Sequence, residues 1–171
     1  MTMSETSIYA ARGTLGVGPD GSFQIQFVRE LPHTPQKVWR WLTEPDRLER
    51  WLPGCRIGGR EGAAVHFDFG EEGSATGEVR SVAVPDHGTG HLEHTWVWEG
   101  VPTSVVTWQL EPLGGGTRLT LLHRELVEEP AREFALGWHM MLDSLQLDLD
   151  GRSTDSAWAA AEELAGNYLR P

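Results

Sequence analysis

The apolar residues between Phe27 and Gly54 recur in a pattern that predicts a strand end, two short helices and a turn. Thr34 is a good N-cap and Pro35 stands at the first helical position, so we expect the first helix to begin there. Pro45 ends that helix and starts the second. The apolar faces of the two helices consist of Val38, Trp39 and Leu42 in the first and Leu48, Trp51 and Leu52 in the second.

Alternation of apolar and polar positions predicts a series of strands in the rest of the chain. They cover residues 22–31, 63–69, 75–84, 91–98, 103–111 and 117–125. Short turns join the last five, so we expect consecutive strands to pair as antiparallel hairpins. We interpret residues 1–21 as a loose N-terminal arm with room for one added strand.

A long helix follows the strands, with Pro130 in its first turn and Gly151 as its stop. The spacing of apolar positions in residues 154–168 predicts one further amphipathic helix. Its apolar side consists of Trp158, Ala161, Leu164 and Tyr168. Strands followed by helices on one face make an α+β sandwich. We therefore divide the chain into an arm, a domain at residues 22–151 and a C-terminal helical extension at residues 152–171. The apolar stripe of the long helix consists of Phe134, Trp138, Met141, Leu142, Leu145 and Leu149.

Three stretches within residues 22–151 together carry a family resemblance. Their matching residues are Arg29, Pro35, Val38, Trp39, Leu42, Thr43, Pro45, Leu48, Trp51 and Pro53; then Leu92, Thr95, Trp96, Ser104, Val106, Thr107, Leu110, Gly115, Gly116, Thr117, Leu119, Leu121 and His123; then Gly137, Trp138, Leu142, Leu145 and Leu149. This order resembles the homologues of the heat-shock-protein-90 ATPase activator, which are the AHSA-type members of the SRPBCC (START/birch-pollen-allergen-like) superfamily. The resemblance implies a helix-grip fold, in which a curved antiparallel β-sheet wraps around a long C-terminal helix and two short helices follow the first strand. It also implies a cavity between sheet and helix.

Composition narrows the choice of partners. The 171-residue chain has a formal net charge of −11, which argues against a nucleic-acid partner and against an anionic membrane surface. No apolar stretch approaches the ~20 residues of a membrane span. The first residues do not resemble a signal peptide, so we expect a cytoplasmic protein. Cys55 is the only cysteine, and we expect an inert thiol there.

The histidines are the obvious candidates for chemistry. His87, His91 and His94 have a spacing that could suit a metal, but His91 and His94 point to opposite faces of a strand, so we predict neither a metal nor a cofactor. His123 alternates with apolar residues and should point into the interior. It is interpreted as a hydrogen-bonded core residue, with a polar ligand anchor as the alternative and a general base as a further one. No nucleophile stands in a motif beside it, so we assign no catalytic residue.

Large apolar side chains on the strands and on the long helix are candidates to line the implied cavity. The alternative is that they form plain core, and the two interpretations overlap. The candidate set is Trp41, Phe67, Phe69, Trp96, Trp98, Trp108, His123, Phe134, Trp138 and Met141.

Three functions follow as hypotheses. The first is a protein that binds a small hydrophobic molecule in the cavity, without catalysis. The second is a cavity enzyme of cyclase, dehydratase or hydrolase type, and the third is an interaction protein that stimulates a chaperone ATPase. We also expect a possible homodimer through the C-terminal extension, because Trp158 and Tyr168 should be exposed there.

Overall fold

The computed structural model describes residues 13–86 and 88–169, and within them eight strands form one antiparallel sheet. The strands are β1 (Thr14–Val17), β2 (Phe23–Leu31), β3 (Arg56–Ile57), β4 (Ala64–Asp68), β5 (Ser74–Ala83), β6 (Gly90–Trp98), β7 (Ser104–Leu113) and β8 (Gly116–Leu126). Their order across the sheet is β1-β2-β8-β7-β6-β5-β4-β3. The six predicted strands are confirmed. Strand β1 is the added strand for which the N-terminal arm had room. Strand β3 was not predicted, because two residues are too few to show an alternating pattern.

The helices are α1 (Pro35–Thr43), α2 (Pro45–Trp51), α3 (Glu128–Leu149), α4 (Asp155–Trp158) and α5 (Ala161–Tyr168). The predicted cap is confirmed, since Thr34 accepts a hydrogen bond from the Lys37 amide at 3.2 Å. A 3-10 turn at Gly70–Glu72 joins β4 to β5. In the described part of the chain, no helix combines the length and the apolar character needed to cross a membrane.

The sheet curves strongly around α3, as the contacts of one tryptophan show. Strands β8 and β4 are four steps apart, which is about 19 Å across a flat sheet. Yet the ring of Trp138 on α3 lies 6.0 Å from His123 on β8 and 5.8 Å from Phe67 on β4. Both strands must therefore bend toward the helix, and the helix-grip fold is confirmed.

A β-bulge interrupts the pairing of β2 with β8. Phe23 pairs with Leu126 and Ile25 with His123, so Gln24 alone lies opposite two residues of β8. One of these two is Glu125, whose φ of 64° lies in the left-handed region. Bulges of this kind bend a strand and reorient the neighbouring side chains. Here the bulge begins directly after His123.

The C-terminal extension differs from the prediction in two respects. The single helix expected at residues 154–168 is two short helices, α4 and α5. Tyr168, expected to be exposed, is 3% exposed, because its ring packs against Phe27 and His139 of the same chain. The prediction that Tyr168 is exposed was therefore wrong, and Trp158 is half-buried. The predictions for the first twelve residues fall outside the described residues.

Candidate functional site: an aromatic cluster between the sheet and α3

Eight of the ten predicted lining residues form one connected cluster of rings between the sheet and α3. We call it the ring cluster: Phe67, Phe69, Trp96, Trp98, Trp108, His123, Phe134 and Trp138. Trp96 occupies its centre, with the ring centroids of Phe67, His123, Trp138 and Phe134 lying 5.0–5.5 Å from its own. Alternation along β4, β6, β7 and β8 brings the strand residues of the cluster to one face of the sheet, and α3 contributes Phe134 and Trp138 from the other side. The ring cluster is thus packed like a protein core and lies where the cavity was predicted.

His123 is held in one tautomer by its two partners. The indole N–H of Trp138 donates to His123 Nδ1 at 3.0 Å, and an indole nitrogen can only donate. In the neutral ring, Nε2 therefore carries the proton and donates to Ser104 Oγ, 2.8 Å away. Ser104 in turn donates to the carbonyl of Trp96 at 3.5 Å. Sequence reasoning missed Ser104 as the partner of His123, because only the register of β7 on β8 brings the two together.

His94 forms a second polar pair under the cluster, with its ring 6.0 Å from that of Phe67. Trp108 donates its indole N–H to His94 Nε2 at 3.1 Å, so His94 Nδ1 carries the proton and donates to the Thr95 carbonyl at 2.9 Å. His94 was not among the candidates, although alternation had placed it on the same face as Trp96 and Trp98.

Both histidines are neutral over the physiological range. Burial lowers the pKa of His94 from 6.5 to about 4, because the charged ring would lose its hydration. Burial also holds the pKa of His123 well below its ordinary value, and the charge of a protonated His94 would lower it further. The ring cluster is therefore aromatic and uncharged, with its hydrogen bonds made between neutral groups.

One donor in the cluster has no partner. Trp96 Nε1 is the only buried side-chain nitrogen or oxygen atom without a hydrogen bond in residues 13–86 and 88–169. The Trp96 side chain is 1% exposed, so bulk water does not reach this N–H. Indole N–H groups in protein interiors usually have a partner, and leaving one unpaired costs roughly 1–3 kcal/mol.

The outer edge of the cluster faces solvent. Phe69 and Trp98 are half-buried, and Phe134 is 9% exposed. A Cβ at Gly73 would lie 2.7 Å from the Trp98 ring, so only glycine lets this ring lie across the β4–β5 turn. Gly73 also has a φ of 129°, which favours glycine independently. These three rings are the most exposed members of the ring cluster.

Trp41 lies at the other end of α3. Its Nε1 donates to Asp148 Oδ2 at 2.8 Å, and Asp148 is 14 residues from Phe134, about 21 Å along a helix. The Lys37 ammonium and the Arg47 guanidinium lie 5.2 and 4.6 Å from the ring centroid of Trp41. Trp41 therefore packs α1 against the end of α3 and lies away from the ring cluster. Met141, on α3 itself, is buried in the hydrophobic core.

Within the part of the chain that the structure describes, no three His, Cys, Asp or Glu side chains are placed to hold a metal ion. His87 lies outside the described residues. Cys55 is buried, and burial raises the pKa of its thiol to about 11, so it stays protonated.

The chain belongs to a recognised family of helix-grip proteins. The profile of the family described as "Activator of Hsp90 ATPase homolog 1-like protein" matches residues 32–149, which include α1, α2, β3–β8 and α3, and so contain the whole ring cluster. The chain is a member of this family, as its three sequence stretches indicated. A search of the curated proteins gives no significant match.

Solved structures support the same fold over most of the chain. CalU16 from Micromonospora echinospora is 27% identical, with a TM-score of 0.74 over 92% of this chain and 95% of that one. Protein MLL2253 from Mesorhizobium loti is 26% identical, with a TM-score of 0.64 over 74% of this chain and 96% of that one. DynU16, from the dynemicin biosynthetic locus, shares the fold at 24% identity, with a TM-score of 0.65 over 77% of this chain and 49% of that one.

Proposed function

We propose that this protein binds a small hydrophobic molecule between its sheet and α3, at the ring cluster. The observation that carries the proposal is the unpaired Trp96 N–H at the centre of a neutral aromatic cluster. Ligand sites are mostly apolar and carry a few placed polar groups, and this cluster has that character. The half-buried rings of Phe69 and Trp98 lie against Trp96 and are partly open to solvent. The rings pack closely, so binding requires the outer ones to move aside.

Binding of a neutral apolar dye tests the proposal. We expect Nile red to bind the purified protein with a blue-shifted, enhanced emission, and Trp98→Asp to weaken this binding at least tenfold, because a carboxylate would then stand at the entrance to an uncharged site. Val97→Asp is the matched control: Val97 is the neighbouring residue, 44% exposed, and points to the opposite face of β6. Equal dye binding by the two variants, or none by the wild type, would contradict the proposal.

Native mass spectrometry of the protein isolated from its own host would identify the ligand class. A reproducible added mass that leaves on denaturation is the expected result. It should be reduced in Trp98→Asp and retained in Val97→Asp.

The cavity enzyme is a weaker alternative, and the geometry of His123 decides against one version of it. Because Nε2 of His123 already carries the proton that faces Ser104, the ring does not act as a base toward that hydroxyl. A serine nucleophile activated by this histidine is therefore not supported. Stimulation of a chaperone ATPase, a homodimer and a cytoplasmic location stay predictions.

A further inference from the structure

The hydrogen-bonding capacity of the ring cluster restricts the chemistry of its ligand. We infer that the ligand is a neutral, planar aromatic molecule with a hydrogen-bond acceptor, such as an aryl ketone. This acceptor takes a hydrogen bond from the indole N–H of Trp96. This inference rests on the proposed function and makes it more specific. Its first support is the unpaired donor itself, which a pure hydrocarbon would leave unpaired.

The other buried donors of the site are already engaged. The indole N–H groups of Trp138 and Trp108 donate to His123 and His94. The remaining donors, His123 Nε2 and Ser104 Oγ, donate along the chain that ends on the Trp96 carbonyl. Of the buried donors in the described residues of the site, only Trp96 Nε1 is therefore left to donate to a ligand. A ligand rich in hydroxyl or amine groups would bury donors and acceptors that find no partners there.

Charge is excluded by the same surroundings. No member of the ring cluster carries a charge, because His123 within it is buried and neutral, and His94 beside it is neutral for the same reason. A carboxylate brought next to Trp96 would lose its hydration and meet no counter-charge. An ammonium group can contact aromatic faces, but it has no lone pair to accept a hydrogen bond, so it would leave the Trp96 N–H unpaired. The ligand must therefore be neutral where it contacts the cluster.

The shape of the cluster favours a flat ring system. The indole rings of Trp96 and Trp98 are nearly parallel, with an interplanar angle of 6° and a centroid separation of 6.3 Å. Phe134 presents its edge to both tryptophans at 5.5 and 5.3 Å. Aromatic ligands pair well with such faces and edges, because stacked and edge-on contacts are favourable beyond the burial of apolar area.

A pair of nearly isosteric probes separates the hydrogen bond from the burial of rings. Fluorene and 9-fluorenone have the same flat skeleton, and only the ketone has an acceptor. We expect equilibrium dialysis to show 9-fluorenone binding about tenfold more tightly than fluorene, the effect of one hydrogen bond of ~1.4 kcal/mol. The preference should disappear in Trp96→Phe and persist in Trp158→Phe, which removes an indole outside the cluster. The anion 9-fluorenone-4-carboxylate should bind more weakly than either neutral probe.

A second measurement needs no variant and so does not depend on the folding of Trp96→Phe. The ¹⁵N-indole resonance of Trp96 should shift with the ketone and stay nearly unchanged with the hydrocarbon. Equal affinity for the two neutral probes, or an unmoved Trp96 resonance when the ketone is bound, would overturn the inference while leaving a hydrophobic binding site in place. Failure of both probes and of Nile red to bind would remove the proposed function as well.

Discussion

At the scale of single residues, sequence patterns located most of the candidate site but not its polar connections. Alternation predicted that His123 points into the interior, and the structure buries this side chain beside Trp96. The pairing of Ser104 with His123 depends on the register between β7 and β8, which alternation does not specify. The unpaired state of Trp96 Nε1 depends on the positions of all its neighbours at once. Local patterns therefore found the rings of the cluster and missed the hydrogen bonds between them.

The backbone of Glu125 adopts a conformation that is unfavourable for a non-glycine residue. Among the described residues Glu125 is the only non-glycine residue with a positive φ, 64°, and its side chain is exposed. We expect Glu125→Gly to raise the free energy of unfolding by about 0.5–1 kcal/mol, because glycine adopts this conformation without strain. Urea unfolding at neutral pH measures the change.

The control for this prediction is Glu99→Gly, at another exposed turn position where φ is not positive. There the added freedom of the unfolded chain should lower stability. A loss of stability in Glu125→Gly as large as that in Glu99→Gly would show that the bulge does not strain residue 125.

At the scale of elements, the hydroxyl of Tyr168 connects helix α5 to two other parts of the domain. Tyr168 Oη accepts the Gly13 amide at 3.0 Å and lies 2.6 Å from His139 Nδ1 on α3. His139 Nε2 is 3.4 Å from Asp143 Oδ2, and Asp143 Oδ1 is 2.7 Å from Arg29 Nη1. Burial raises the pKa of Asp143, but the hydrogen bond from His139 and the charge of Arg29 outweigh it and hold that pKa below its usual value. This network connects β2, α3, α5 and the start of the described chain.

Removing that hydroxyl should loosen the C-terminal segment. We expect Tyr168→Phe to lower the free energy of unfolding by about 1–3 kcal/mol, because the buried Gly13 N–H and His139 Nδ1 lose a partner. Hydrogen exchange should show faster exchange at residues 155–168 in the variant. The matched control Ser156→Ala removes an exposed hydroxyl from the same segment and should change neither measurement. Unchanged exchange in Tyr168→Phe would mean that the hydroxyl does not hold α5 in place.

The extension shows what helical periodicity omits. The apolar spacing of Trp158, Ala161, Leu164 and Tyr168 indicated an amphipathic segment, and Leu164 and Tyr168 are indeed buried. Periodicity does not say which surface an apolar face covers, so a second copy of the chain and the chain's own α3 were equally open. The tyrosine ring instead contacts Phe27 and His139 of its own domain, and a dimer through this residue loses its support.

At the scale of the whole molecule, the fold followed from the sequence because each level of the pattern agreed with the next. Turn residues separate the strands, the two-glycine turn at Gly114 and Gly115 has the positive φ values that suit a tight hairpin, and α3 has one apolar stripe for one sheet face. Curvature could not be read from alternation, since it shows only in contacts that span five strands. That curvature is what gathers the rings of the candidate site.

Acid stability is a property of the whole molecule that the two buried histidines should govern. In the unfolded chain both rings take up a proton near pH 6.5, whereas in the folded protein burial lowers the pKa of His94 to about 4 and that of His123 well below its ordinary value. Below pH 6.5 the unfolded state therefore binds more protons, and stability falls as the pH falls toward 4, while it is fully retained above 6.5. The contribution of His94 alone is about 3 kcal/mol over this window.

Urea unfolding from pH 7.5 to pH 4.5 gives the number of protons taken up on unfolding, and we expect this number to approach two from these histidines near pH 5. His94→Gln keeps an acceptor for the Trp108 indole and removes one titrating group, so its curve should show about one proton less. Asp143 acts in a separate window, because its lowered pKa removes stability only below about pH 4. If instead the imidazole resonances of His94 and His123 titrate near pH 6.5 in the folded protein, the rings are hydrated, and the uncharged site inferred around Trp96 would no longer stand.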